Sequence, residues 1–131
     1  MKIHFSASGH DEAKLRFARL TERYGQHPIE NADCIVALGG DGHMLHVLHE
    51  TLQHDLPVFG MNCGRLGFLM NHFASDELVE RIEGAETAPI HPLRMTARGT
   101  DGTLHSALAI NEVSMLRQTH NAAHIRCLLY T

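Results

Sequence analysis

Three glycines and one carboxylate stand together as Gly39-Gly40-Asp41-Gly42, directly after the apolar run from Cys34 to Leu38. A glycine-rich turn between a strand and a helix bares backbone N–H groups, and the helix N-terminus behind it attracts anions, so phosphate is its natural ligand. Glycines also accept φ > 0 and let a ligand approach the backbone closely. The charge in this loop is nevertheless negative. A carboxylate beside phosphate oxygens is repelled unless it takes a proton or binds a metal. Asp41 therefore fits the acceptor side of a phosphoryl transfer, where removing the proton of an attacking hydroxyl contributes roughly 10²–10⁴-fold. A plainer role stays open, that of capping the following helix. The Lys of a Walker A loop and the G-x-G-x-x-G spacing of a dinucleotide fold are both absent.

Two further stretches carry polar groups in apolar surroundings. In "GMNCGRLGFLMN", Gly60 to Asn71, the residues Asn62, Gly64 and Gly67 could merely shape a tight connection, with Phe68, Leu69 and Met70 as core. In "AINEVSML", Asn111 and Glu112 interrupt a strand-like run. Buried, both would need partners; at a bulge or a strand end they would face water. His43, His46 and His49 fall with Glu50 and Gln53 within roughly a third of a helix circumference. Met44, Leu45, Val47, Leu48 and Leu52 take the other side. That is a solvated face against a buried one rather than a metal site. His46 lies in the early turns after the glycine loop and is a candidate nucleotide contact. His124 and Arg126, past the Asn-Glu pair, are candidates on the substrate side.

Gly39-Gly40-Asp41-Gly42 resembles the signature shared by NAD kinases, diacylglycerol-type lipid kinases and phosphofructokinases. Asn62, Gly64, Leu66, Gly67, Phe68 and Leu69 resemble the N-x-G-x-L-G-F-L segment of NAD kinases, and Asn111-Glu112 resembles that family's Asn-Glu pair. Order and spacing agree from the first strand to about Arg117, so the chain is similar to an NAD kinase over nearly its whole length. The resemblance implies transfer of the γ-phosphoryl of ATP, or of polyphosphate, to the 2′-hydroxyl of the adenosine ribose of NAD, giving NADP. It implies Asp41 as the base and Gly39, Gly40 and Gly42 around phosphate. It places Asp41, Gly42, Phe68, Asn111 and Glu112 at NAD, with Phe68 as an apolar wall on the adenine side. A divalent cation, Mg²⁺, is implied with ATP, and so is self-association. His43 stands where the family usually has Thr, which bears on donor handling. A related kinase with a lipid acceptor and a non-catalytic nucleotide-binding fragment are the alternatives, though no lipid-kinase or phosphofructokinase acceptor motif is found.

The elements that must position these groups follow from the apolar pattern. "MKIHFSAS" alternates as a strand, and Ser8 and Asp11 are candidate caps for a helix through "DEAKLRFARLTERYG" ending at Gly25. "DCIVAL" is apolar throughout, as expected of a strand covered on both faces. A helix follows the glycines, then "LPVFGMN" as a third strand and "SDELVERIEG" as a third helix capped by Ser75. This alternation predicts an α/β fold with a parallel sheet in a nucleotide-binding domain over residues 1–88. Past Pro89 and Pro92, "LRMTARGTDGTLHSALAI" predicts a hairpin around Asp101-Gly102, the beginning of an antiparallel β domain over residues 89–131. "HIRCLLYT" reads as a strand that stops midway. A β unit of this size is barely self-supporting, so the sequence is expected to be cut short.

Composition bounds the rest. The 131 residues are 44% hydrophobic, enough for a core, and carry a formal net charge of -4. With 5% aromatics, no Trp and no basic stripe, a nucleic-acid surface is not expected. The cysteines Cys34, Cys63 and Cys127 form no C-x-x-C pair, which points to a reducing, cytoplasmic setting. No run approaches the ~20 apolar residues of a membrane span.

Overall fold

The computed structural model describes residues 1–64 and 67–130. Leu66 of the second motif and Thr131 of the last run lie outside these described residues. Three parallel strands, β1 (Ile3–Ala7), β2 (Cys34–Gly39) and β3 (Val58–Asn62), form one sheet in the order β1-β2-β3. The register aligns Phe5 with Val36 and Val36 with Phe59. All of β2 is buried, because it is the central strand and both of its faces are covered.

Helix α1 (Asp11–Tyr24) covers one face. Its Leu20, Phe17 and Tyr24 pack with Ile3, Phe5, Cys34, Val36, Leu38, Phe59 and Met61. The short helix α3 (Leu78–Glu83) joins that core through Leu78. Helix α2 (Asp41–Glu50) covers the other face, setting Met44 and Val47 against Ile35 and Ala37. Each fully buried Leu, Ile or Phe stabilises the fold by about 1.5–3 kcal/mol, so these two layers hold the strand ends in place. Among the described residues no helix is long and apolar enough to cross a membrane.

The ends of the helices depart from the expected caps. Gly25 stops α1 at φ 78, the left-handed region that suits glycine. The N-cap of α1 is His10, with no side-chain cap, so neither Ser8 nor Asp11 fills that role. Ser75 does not cap α3 either. It is buried, its carbonyl accepts the Tyr24 hydroxyl at 2.8 Å, and α3 starts only after Glu77, which takes φ 54. The left-handed Glu77 separates Ser75 from the helix. Beyond Gly25 the side chain of Gln26 both accepts from the Phe5 N–H (2.9 Å) and donates to the Phe5 carbonyl (3.0 Å), closing the outer edge of β1 as a strand residue would.

A separate antiparallel pair, β4 (Leu93–Arg98) and β5 (Leu104–Ala109), forms the expected hairpin. Its turn uses Gly102 at φ 84, while Asp101 accepts from the Thr103 N–H at 3.0 Å. Residues 113–130 form no strand, contrary to the reading of "HIRCLLYT". An apolar run becomes a strand only beside a free edge, and this one is exposed without a ladder.

Candidate active site

The carboxyl ends of the three strands meet around a cleft of about 380 Å³, lined by Ser8, His10, Gly39, Gly40, Asn62, Cys63 and Gly64. Backbone contacts shape its rim. The Cys63 N–H donates to the Gly39 carbonyl at 2.9 Å, and the Asn62 side chain accepts the Gly64 N–H at 2.9 Å. Arg16, stacked 4.1 Å from the centre of the Phe73 ring, donates to the Asn62 carbonyl at 2.8 Å. The loop glycines serve close approach rather than unusual dihedrals, since Gly39, Gly40 and Gly42 all lack positive φ. A Cβ on Gly39 would stand 2.8 Å from that of His43, whereas Gly40 and Gly42 border open space that a ligand can enter.

Asp41 is the first residue of α2, behind the N-cap Gly40. Its oxygens do not cap the helix. Oδ2 accepts the Phe68 N–H at 2.9 Å and Oδ1 accepts the Leu69 N–H at 3.0 Å, tying the glycine loop to the second motif. A Cβ on Gly67 would overlap this carboxylate. Of the expected core triplet only Met70 is buried, beside Met44 and Gly60; Leu69 and Phe68 face solvent, Phe68 at 102% exposure. With the backbone of Phe68 and Leu69 bound to Asp41, their side chains are left to project outward.

A second cleft, of about 340 Å³, lies between α2 and the end of β5, lined by Leu45, His46, His49, Leu108, Ala109, Ile110, Asn111 and Glu112. Asn111 and Glu112 thus sit just past a strand end, exposed, and in one cleft with His46. His49 belongs there too, its Nε2 3.3 Å from the Leu108 carbonyl oxygen. Its spacing of three from His46 was the available signal; reading the histidine face as plain solvated surface hid it. Leu45, assigned to the buried side, lines this cleft as well. His43 leaves the solvated face altogether. It is half-buried with Nε2 3.2 Å from Ser6 Oγ, and burial lowers its pKa from the ordinary 6.5 more than the Ser6 contact raises it. His124 and Arg126 lie in the exposed segment after β5 and line neither cleft.

Among the described residues no three His, Cys, Asp or Glu side chains gather into a metal-binding group. Burial pushes the Cys34 thiol up to about 11 and raises that of Cys63, so the cleft offers no thiolate near neutral pH.

The sequence pattern of the ATP-NAD kinase N-terminal domain matches residues 2–85, which include the glycine loop, Asp41 and Gly67 to Leu69. The chain belongs to the NAD kinase family. Its relatives extend the match past that domain. An NAD kinase of Hyphomonas neptunium is 49% identical over 129 residues, covering 98% of this chain and 51% of that protein. One of Caulobacter vibrioides is 52% identical over 125 residues, 95% of this chain and 48% of the relative. One of Brucella suis is 48% identical over 126 residues, 96% and 49% respectively. The chain spans about half the length of these NAD kinases.

Proposed function

We propose that this chain carries the phosphate-handling and part of the acceptor-handling machinery of an ATP:NAD 2′-phosphotransferase. One observation supports the reading: along α2, Asp41 neighbours a residue of each cleft. It directly follows Gly40 of the first cleft, and Leu45 of the second lies one turn on, at i+4, on the same side of α2. The N–H groups of Phe68 and Leu69 fix the carboxylate and leave each oxygen a second lone pair for a substrate proton.

In this mechanism the donor triphosphate occupies the first cleft, beside Gly39 and against the open backbone of Gly40 and Gly42 at the N-terminus of α2. Asn111 and Glu112, with His46, hold the adenosine ribose of NAD in the second, and exposed Phe68 offers its ring to the adenine. Asp41 takes the proton of the 2′-hydroxyl as that oxygen bonds to the γ-phosphorus, and the bond from the γ-phosphorus to ADP breaks. Charge neutralisation on the donor oxygens is the chemistry expected of Mg²⁺. Phosphate oxygens rather than a side-chain cage would hold it, since among the described residues no three His, Cys, Asp or Glu side chains gather.

The reading also divides the chain near residues 88–92, between the parallel sheet and the hairpin, and assigns a cytoplasmic, self-associating enzyme. Exposed Leu93, Leu104 and Leu108 on the hairpin support a covering partner, either further β structure or a second copy. A phosphotransfer assay offering NAD, NADH and diacylglycerol as competing acceptors tests it. NADP formation is expected; phosphorylation of the lipid alone would overturn it.

A further inference from the structure

We propose that Ser8 is a ligand of the donor phosphates: its hydroxyl donates a hydrogen bond to the triphosphate held in the first cleft. The inference rests on the phosphotransferase reading for the identity of the anion, but its evidence is separate.

Ser8 Oγ is a buried side-chain oxygen with no hydrogen-bond partner among the described residues. A buried hydroxyl left unpaired destabilises the free protein, so an orphan of this kind marks a group awaiting a partner. Its place in the fold says which partner. The Ser8 N–H donates to the Leu38 carbonyl at 2.9 Å, extending the β1–β2 ladder by one residue. Side chains alternate along it: Ile3 and Phe5 turn to the α1 layer, while Ser6 turns to the α2 layer and meets His43. Ser8 follows Ser6 on that side, farther along the strand toward the start of α2, and it lines the first cleft beside Gly39 and Gly40.

The electrostatics of the cleft favour an anion. In the first turn of α2 the His43 N–H donates to the Gly40 carbonyl at 3.0 Å, which leaves the N–H groups of Asp41 and Gly42 ahead of it at the helix start, and the N-cap Gly40 has no side chain to occupy them. The α1 N-terminus across the cleft also lacks a side-chain cap. The lining includes no carboxylate. Asp41 is turned to Phe68 and Leu69, while Asp11 and Glu12 of α1 pair with Lys14 (3.8 Å) and Arg16 (2.7 Å). A neutral hydroxyl donor beside bare N–H groups binds phosphate oxygens without opposing the departure of charged product.

The test uses inorganic triphosphate as probe, titrated calorimetrically into the complete protein and its Ser8→Ala and Ser8→Thr variants. Ser8→Ala should weaken triphosphate binding roughly ten- to hundredfold, the range for a hydrogen bond to a charged group. It should leave the KM for NAD unchanged and the ligand-free Tm equal or higher, because the orphan oxygen is gone. Ser8→Thr should recover most of the affinity. Equal triphosphate affinity in Ser8→Ala overturns the proposal. So does a fall in ligand-free Tm that accounts for the weaker binding and persists in Ser8→Thr, since that describes a structural residue. If triphosphate binding depends on Ser8 but the unsubstituted protein makes no NADP, the ligand assignment stands and the phosphotransferase reading falls.

Discussion

Gly67 has no side chain where Asp41 has its carboxylate: a Cβ at position 67 would overlap Oδ1, Oδ2 and Cγ of the acid. The contact spans 26 residues of sequence and fixes the proposed base from outside its own helix. Gly67→Ala should therefore displace the carboxylate with the fold retained, lowering kcat by roughly 10²-fold while KM for ATP changes little. Steady-state kinetics beside circular dichroism checks this. An alanine variant with normal turnover would show that the loop yields and the contact is dispensable.

Asp41→Asn is a harsher change than its isosteric shape suggests. An amide keeps one acceptor and turns an NH₂ donor toward a backbone N–H, so one of the Phe68 and Leu69 contacts is lost. The expected result is a fall in kcat of roughly 10²-fold or more with NAD affinity nearly intact, measured by turnover and by calorimetry. Full activity would leave Asp41 as a loop anchor only.

Asn111→Ala and Glu112→Ala remove exposed groups at the end of β5, so stability should shift by no more than about 0.5 kcal/mol. KM for NAD should rise more than KM for ATP, because the pair lines the cleft away from the glycine loop. Equal rises in both constants would argue that the two clefts are not assigned as described.

His43 makes stability depend on pH. Burial and nearby His46 lower its pKa, while Ser6 and Glu50 oppose them, and the folded value lies below the ordinary 6.5. The unfolded chain thus binds the proton more readily. The stabilisation is fully present above about pH 6.5 and is lost as pH falls through the lowered folded value. Urea midpoints should decline as pH falls below about 6.5, and His43→Thr should flatten that part of the curve. An unchanged slope in the variant would assign the decline to other groups.

Much of the scaffold was legible because it rests on local chemistry. The unbroken apolar run of β2, the stop at Gly25 and the Asp101-Gly102 turn each express a preference of a few neighbouring residues. What escaped depends on residues far apart in the chain. Ser75 looked like a cap, but the helix starts only after Glu77 at φ 54, and the Ser75 carbonyl instead accepts the hydroxyl of Tyr24, 51 residues away. His43 looked solvated until Ser6 met it from the face of β1 that α2 covers. Asp41 showed its charge in sequence but not its partners, and the orphan hydroxyl of Ser8 exists only in three dimensions. Crowding by His43, Met70 and Asp41, not positive φ, demands a missing Cβ at Gly39, Gly60 and Gly67, a need visible only in three dimensions.

The Gln26 amide, bonded to both the N–H and the carbonyl of Phe5, closes the β1 edge of the parallel sheet at that residue. An open strand edge invites any other edge, whether from the same protein or from a neighbour in a crowded solution. Here the β1 side is stoppered by a side chain, and on the flank beyond β3 Asn71 donates its N–H and side-chain amide to the Gly60 carbonyl (2.9 and 3.1 Å) and accepts the Asn62 N–H (2.9 Å). Aggregation through the β1 edge would first require Gln26 to let go.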